Sequence, residues 1–360
     1  MANIFHITSV HQRYDTRIFK KECISLAQAG HTVFLIVCDG LGDEIIEGVN
    51  IVDIGIDNQM GRLKRFLLLP KAILQYLLKR QDIDYVHFHD PELIFVGKKL
   101  AKRGFKVIYD VHEYVPRQIM TKPYLPKITR KIIAWLVNMI EMTIAKRLFA
   151  IVSVTDELVE RFKSVNKNVF LLRNYPVVSS FQNIDFEAKK MSFIYAGGIT
   201  FIRGALEMAQ ASTISGLEIT CFGPIEKNPE KDLIKYDKLI LKGKIPQESV
   251  FDEYRRSSVG LITLHKIPNH MVSSPNKLFE YMVSGMAVIA SDIPFWKEMV
   301  EAEKCGICVD PYNVNEIAQA MIYMKEHPEE TRQMGMNGRK AVLEKYSWES
   351  EVKTLLSIYT

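Results

Sequence analysis

Lys277 and Glu280 stand three residues apart in the stretch SSPNKLFEYMVSGMAVIAS, residues 273–291. A cation and a carboxylate at that spacing share a helical face, and as an exposed pair they would contribute only about 0.2–0.5 kcal/mol. A different chemistry arises if the helix starts just before them. Open N–H groups and the positive end of the helix dipole then make a phosphate site, Lys277 adds a full charge, and Glu280 can accept hydrogen bonds from two vicinal hydroxyls such as those of a ribose. The local sequence favours that start. Pro275 suits a first helical turn, residues 276–283 contain no Gly or further Pro, Gly285 stops the helix, and Ala287-Val-Ile-Ala-Ser reads as a buried strand.

Other polar residues fall where strands end. Gly197-Gly198 follows an apolar run and precedes Arg203-Gly204, a strand, turn and helix order whose backbone N–H groups and guanidinium can hold phosphate. Gly223 and Lys244 end two further strands, where backbone groups can read a base, and the loop 265–274, with His270 and Ser274, follows another strand. Earlier in the chain, His87 and His89 alternate onto one strand face before Asp90, and the next strand ends in Val111-His112-Glu113. Two His- and acid-bearing segments thus meet at one sheet edge. Asp82-Ile-Asp84 has the spacing of a metal–diphosphate site but precedes its strand, whereas ligands of open parallel sheets bind at the carboxyl ends. Of the five cysteines only Cys305 and Cys308 have a metal-like spacing, and no second pair or nearby His completes a zinc site. Reduced thiols and no metal are expected.

The elements that must position these groups follow from length and pattern. A chain of 360 residues with 48% apolar content is long for one core, so two domains are expected, at 1–176 and 191–346. A linker spans 177–190, and a terminal helix lies in 347–360. Strand, helix, strand order opens a doubly wound parallel sheet, and the lack of Gly-x-Gly-x-x-Gly after the first strand argues against a dinucleotide cofactor. The first ten residues read as a strand and not as a signal peptide, which points to the cytosol. Residues 1–175 carry 26 Lys+Arg against 18 Asp+Glu, while the remainder carries 21 against 24. The basic half suggests a polyanionic or membrane-surface partner. Lys122, Lys127, Arg130 and Lys131 flank the apolar run 132–137, read as part of a long helix whose apolar stripe faces the sheet; with a second basic, apolar region at 62–69 and 76–80 it fits an anionic membrane surface. Residues 132–151 approach membrane-span length, but Glu141, Lys146 and Arg147 interrupt them.

Pro275-x-Lys277-x-x-Glu280-Tyr281-Met282 followed by Gly285-x-Ala287, together with His87-x-His89-Asp90-Pro91-Glu92-Leu93 and Asp110-Val-His112-Glu113-x-x-Pro116-Arg117, resembles the retaining glycosyltransferases of family 4. The latter two motifs resemble members from bacterial surface-polysaccharide pathways of the capsule and O-antigen type. The resemblance implies a GT-B fold: two Rossmann-like α/β domains facing across a cleft, with the C-terminal helix crossing back to the first. It implies Glu280 on the donor ribose, Lys277 and Arg203 on the diphosphate, and His112 near the sugar at the reaction centre. Gly197, Gly198, Gly223, Lys244, His270, Ser274, Asn276 and Leu278 complete the expected donor side. Arg13, Asp15, Arg17, His89, Asp90 and Glu113 form the expected acceptor side. The implied reaction is metal-independent transfer from a nucleoside-diphosphate sugar, UDP by preference, to a saccharide or lipid-linked saccharide, with no nucleic-acid partner. It would take place in the cytoplasm or peripherally on the inner face of the plasma membrane. Two departures stand out. Gly198 replaces the family's Arg while Arg203 stands for its Lys, and Val272 replaces an acidic residue that contacts the sugar. These keep open a non-catalytic GT-B partner subunit. A sugar-nucleotide 2-epimerase is the other alternative, with Asp90 and Glu113 as its only candidate carboxylates.

Overall fold

Short apolar runs alternating with amphipathic stretches build two sheets. The computed structural model describes residues 1–55, 62–120, 126–226 and 231–360, and only the backbone for 62–66. Lys122 and the side chains of 62–66, part of the expected basic regions, lie outside the described residues. The first sheet contains β1 (Asn3–Ile7), β2 (Thr32–Val37), β3 (Glu44–Ile46), β4 (Val49–Asp53), β5 (Tyr85–Phe88), β6 (Lys106–Val111), β7 (Ala150–Ser153) and β8 (Val169–Leu171) in the order 3-4-2-1-5-6-7-8. Its pairs are parallel except β3 with β4. The second contains β9 (Lys190–Ala196), β10 (Ile219–Phe222), β11 (Leu239–Gly243), β12 (Ser257–Ile262), β13 (Ala287–Ser291) and β14 (Gly306–Val309) in the order 11-10-9-12-13-14, all parallel. In each sheet the order reverses beside the first strand, between β1 and β5 and between β9 and β12. Such a switch point opens a crevice at the carboxyl ends.

The chain divides into two compact units, residues 1–174 with 351–360, and residues 175–350. The helix Trp348–Ser357 therefore begins in one unit and ends in the other. In the first unit Phe5, Ile7, Val86, Phe88, Val107 and Tyr109 centre the core; in the second, apolar side chains cover both sheet faces. The segment expected as a linker lies within the second unit, with the Phe181 ring buried 4.5 Å from that of Phe251.

Two local features depart from the sequence reading. Ile18–Cys23 is π-helix, with Glu22 N–H donating to Arg17 C=O, and this widened turn puts Lys21, Glu22 and Cys23 in the interior. The long helix is Lys127–Ala145, but its apolar stripe does not face the sheet. Ile128, Ile132, Trp135, Leu136, Met139 and Ile140 are exposed, and Ala134, Glu141, Ile144 and Ala145 make the buried side. The small Ala134 and Ala145 permit close packing, while buried Glu141 is held by the Tyr109 hydroxyl at 3.1 Å and Arg161 at 2.6 Å. Among the described residues no helix is long and apolar enough to cross a membrane.

Candidate active site

In the second unit, β9 delivers Tyr195 and then the Gly197-Gly198 turn. Helix Asn276–Val283 starts as the sequence predicts, although Pro275 is its N-cap and supplies no side-chain cap. Lys277 projects from its first turn, with Nζ 4.1 Å from the centre of the Tyr195 ring and donating to the Tyr195 hydroxyl at 3.0 Å. That hydroxyl donates onward to the Gly198 carbonyl at 2.9 Å. Glycine is required here: Gly197 has φ 139°, and a Cβ on it would collide with Lys277 Nζ. A Cβ on Gly198 would stand 3.2 Å from an Arg203 Nη. Two cations thus converge on one glycine turn. Burial, and next the Arg203 charge, pull the Lys277 ammonium down to about 7, while Glu280 opposes them. Burial pushes the Tyr195 phenol up to about 12.

The supporting contacts are short. Gly197 N–H donates to the Phe222 carbonyl at 2.8 Å, Gly223 N–H to the Gly243 carbonyl at 2.8 Å, and Ala196 N–H to the Tyr281 hydroxyl at 2.9 Å. The first two zip together the ends of β9, β10 and β11, and the third ties β9 to helix Asn276–Val283. Lys244, just past β11, is exposed. Glu280 is half-buried, and its charge contributes, after burial and Tyr281, to raising the Tyr254 phenol. Leu278 is buried, while Ser274 and Asn276 are half-buried at the helix start. The 265–274 loop is held by His270 Nδ1 at 2.8 Å from the His265 carbonyl, and by Trp296 Nε1–H donating to the Ser273 carbonyl at 2.8 Å. Tyr195 escaped the sequence reading. Its place two residues before a Gly-Gly turn at a strand end was the available signal.

The first unit gathers the expected acceptor-side residues differently. Arg17 donates through Nε and Nη2 to both Asp110 oxygens, at 2.8 and 3.0 Å, and through Nη1 to the Leu172 carbonyl at 3.1 Å. The same Asp110 Oδ2 lies 3.1 Å from His89 Nδ1 and 2.8 Å from His112 Nε2. Burial alone would raise Asp110, but Arg17, and then His112 and His89, hold it well below the usual carboxylate range. Asp90 accepts from Ser9 N–H at 2.6 Å and the Thr8 hydroxyl at 2.8 Å and pairs with His11 at 3.0 Å; against the pull of burial, His11 and these donors bring it to about 2. Arg13 forks onto Asp39 at 2.6 and 2.8 Å and reaches Glu44 at 2.8 Å. Arg13, Arg17, His89 and Asp90 are therefore buried braces of the strand-end loops rather than residues presented to an acceptor. Asp15 accepts from the Arg17 and Ile18 N–H groups at 2.8 and 2.9 Å. His112, 23% exposed, half-buried Asp15 and exposed Glu113 are the expected residues that keep a surface here.

Comparison with known proteins agrees with this architecture. Residues 17–174 match the family model described as Glycosyltransferase Family 4, and residues 203–357 the one described as Glycosyl transferase-like. The MMP alpha-(1->4)-mannosyltransferase of Mycolicibacterium hassiacum is 31% identical over 81 residues, which span 22% of this chain and 20% of that protein. The structure of sucrose-phosphate synthase (tll1590) from Thermosynechococcus elongatus gives a TM-score of 0.79 at 18% identity, covering 100% of this chain and 98% of the other. Anabaena Alr3699/HepE, solved in complex with UDP-glucose, gives 0.71 at 11% identity with 99% of each chain covered. At those identities the likeness speaks for the fold. Each half of the chain thus matches a glycosyltransferase family model, and the two-sheet fold is that of the GT-B structures.

Proposed function

We propose that this chain transfers a glycosyl group, with retention, from a nucleoside-diphosphate sugar to a saccharide acceptor. The observation that carries the reading is the convergence of Lys277 and Arg203 on the Gly197-Gly198 turn, at the switch point of the second sheet. Two cations forced together favour an anion, and a diphosphate offers two phosphates to share between them. Arg203 suits a bidentate contact and Lys277 a point contact. Glu280, one turn further on, holds the ribose. The donor is a UDP-sugar, by analogy with Alr3699/HepE, which was solved with UDP-glucose. Catalysis consists of positioning and of stabilising the departing diphosphate, whose oxygen takes the acceptor hydroxyl's proton; no metal is needed at the diphosphate. His112, held by Asp110 at 2.8 Å, is the first unit's candidate for a contact with sugar.

The acceptor is lipid-linked, and the pathway is that of a bacterial surface polysaccharide such as a capsule or O-antigen. Support comes from the exposed stripe of helix Lys127–Ala145, where Ile128 is 75% and Trp135 59% exposed beside Lys127 and Lys131. A basic, apolar face of that kind rests on an anionic membrane surface, here the cytoplasmic face of the plasma membrane.

Thermal stabilisation by UDP, GDP, ADP and their sugars, repeated on Glu280→Ala and Lys277→Ala, tests the donor site. One diphosphate family should stabilise the chain and lose its effect in both variants. No shift with any nucleotide at saturation would overturn the transferase reading and leave the partner subunit.

A further inference from the structure

We propose that His6, His87, His89 and Glu22 bind one divalent transition-metal ion of the zinc class inside the first unit. The site is independent of the donor chemistry proposed above. His6 on β1 and His87 on β5 are paired in register, and His89 follows two residues on, so the three imidazoles share one face of the sheet. The π-helical segment Ile18–Cys23 turns Glu22 toward them. His6, His87 and Glu22 are fully buried and His89 is 1% exposed.

The geometry has an unfilled centre. Glu22 Oε2 lies 3.8 Å from His6 Nδ1, 3.8 Å from His87 Nδ1 and 3.9 Å from His89 Nε2, too far for hydrogen bonds. Neither oxygen of Glu22 has a hydrogen-bond partner among the described residues; Arg17 Nε stands 3.0 Å from Oε1 but aims its N–H at Asp110. His6 Nδ1 and His89 Nε2 share a hydrogen bond at 2.9 Å, which an ion between them would replace. Donors on a tetrahedral zinc at about 2.0–2.1 Å sit roughly 3.3 Å from one another, within the observed spread. The outer partners also fit. His89 directs Nδ1 to Asp110 and His6 directs Nε2 to the Tyr359 hydroxyl at 3.3 Å, the arrangement that aims the opposite nitrogen at a metal. His87 Nδ1 is also 2.7 Å from that hydroxyl, which must give way for this nitrogen to bind an ion.

Charge points the same way. Arg17 faces two buried carboxylates, Glu22 and Asp110, and one guanidinium cannot balance both. A divalent ion supplies the missing positive charge; a proton on Glu22 is the rival occupant. The neighbouring group His89, Asp110 and His112 also brings three ligand atoms together, but both Asp110 oxygens already accept from Arg17, which makes it a poor cation site.

The test uses the full chain, without a histidine tag or chelator, dialysed and assayed for metals by mass spectrometry. About one zinc per chain is expected, falling below about 0.1 in Glu22→Gln and His87→Gln and unchanged in His112→Ala. Cobalt substitution of the unaltered chain should give the visible absorption of a tetrahedral site, which decides the matter even if a ligand variant fails to fold. Stripping the metal should lower the melting temperature and zinc should restore it. Metal below about 0.1 per chain, with the same melting temperature in zinc and in chelator, would establish the proton-sharing network instead. Loss of metal in His112→Ala would move the ion to the neighbouring group and overturn this assignment.

Discussion

At the strand ends of the first sheet, Asp110 is surrounded by Arg17, His89 and His112, so that most of its charge is answered by groups of the same unit. At the strand ends of the second sheet, Lys277 meets Arg203 beside a glycine turn, and positive charge faces positive charge. Both clusters occupy the same place in the same kind of sheet. Opposite charges gathered in one place hold structure, whereas like charges gathered in one place favour a counter-ion, and the two should respond to mutation in different observables.

The largest effect should come from breaking the cluster around Asp110. Arg17→Ala leaves buried carboxylates without their guanidinium and is expected to cost about 3–5 kcal/mol in urea unfolding. A loss under about 1 kcal/mol would mean that the cluster is not sealed. Lys277→Ala should do the reverse, leaving the chain folded and at least as stable, since it removes a charge that burial disfavours, and lowering the rate of transfer by about 10²–10³-fold. If it unfolds the chain, the distinction between the clusters fails.

A subtler effect is pH dependence of nucleotide affinity. Below about pH 7 Lys277 carries its charge in the free protein, so binding is flat with respect to this group. Above that, each diphosphate must bind together with a proton, and Kd should rise by up to about tenfold per pH unit, a slope that Lys277→Arg flattens. The same depressed group makes folding more favourable as pH rises from about 7 to its ordinary 10.5, since the unfolded chain holds the proton longer. Urea titrations of Lys277→Met across that range should lose this increment. The smallest effect concerns the exposed stripe. Trp135→Glu should weaken sedimentation with anionic vesicles several-fold while the melting temperature stays put; unchanged binding would remove the membrane from the picture.

The surroundings of Lys277 were legible because their signals are local. Helix Asn276–Val283, the stop at Gly285 and the strand that follows all depend on near neighbours in sequence. Tyr195 was not legible, since its ring meets Lys277 only through the pairing of separate elements. Nor was the cluster around Glu22. A sequence reading that looks for paired Cys and His at metal spacings passes over ligands drawn from three segments, one of them a π-turn with a different period. The stripe on Lys127–Ala145 was read correctly as helical and wrongly as core-facing. Periodicity finds a greasy side but does not say what covers it.

One last consequence follows from the helix Trp348–Ser357. Because residues 351–360 belong to the first unit, that unit is discontinuous in the chain, with the whole second unit inserted before its final piece. During vectorial synthesis on the ribosome, Tyr85 and His87 are made long before Tyr359, whose carbonyl accepts from the Tyr85 hydroxyl at 3.0 Å and whose hydroxyl meets His87 at 2.7 Å. The first unit to emerge is thus the last to be finished, and the contacts of Tyr85 and His87 with Tyr359 form only after the second has been translated.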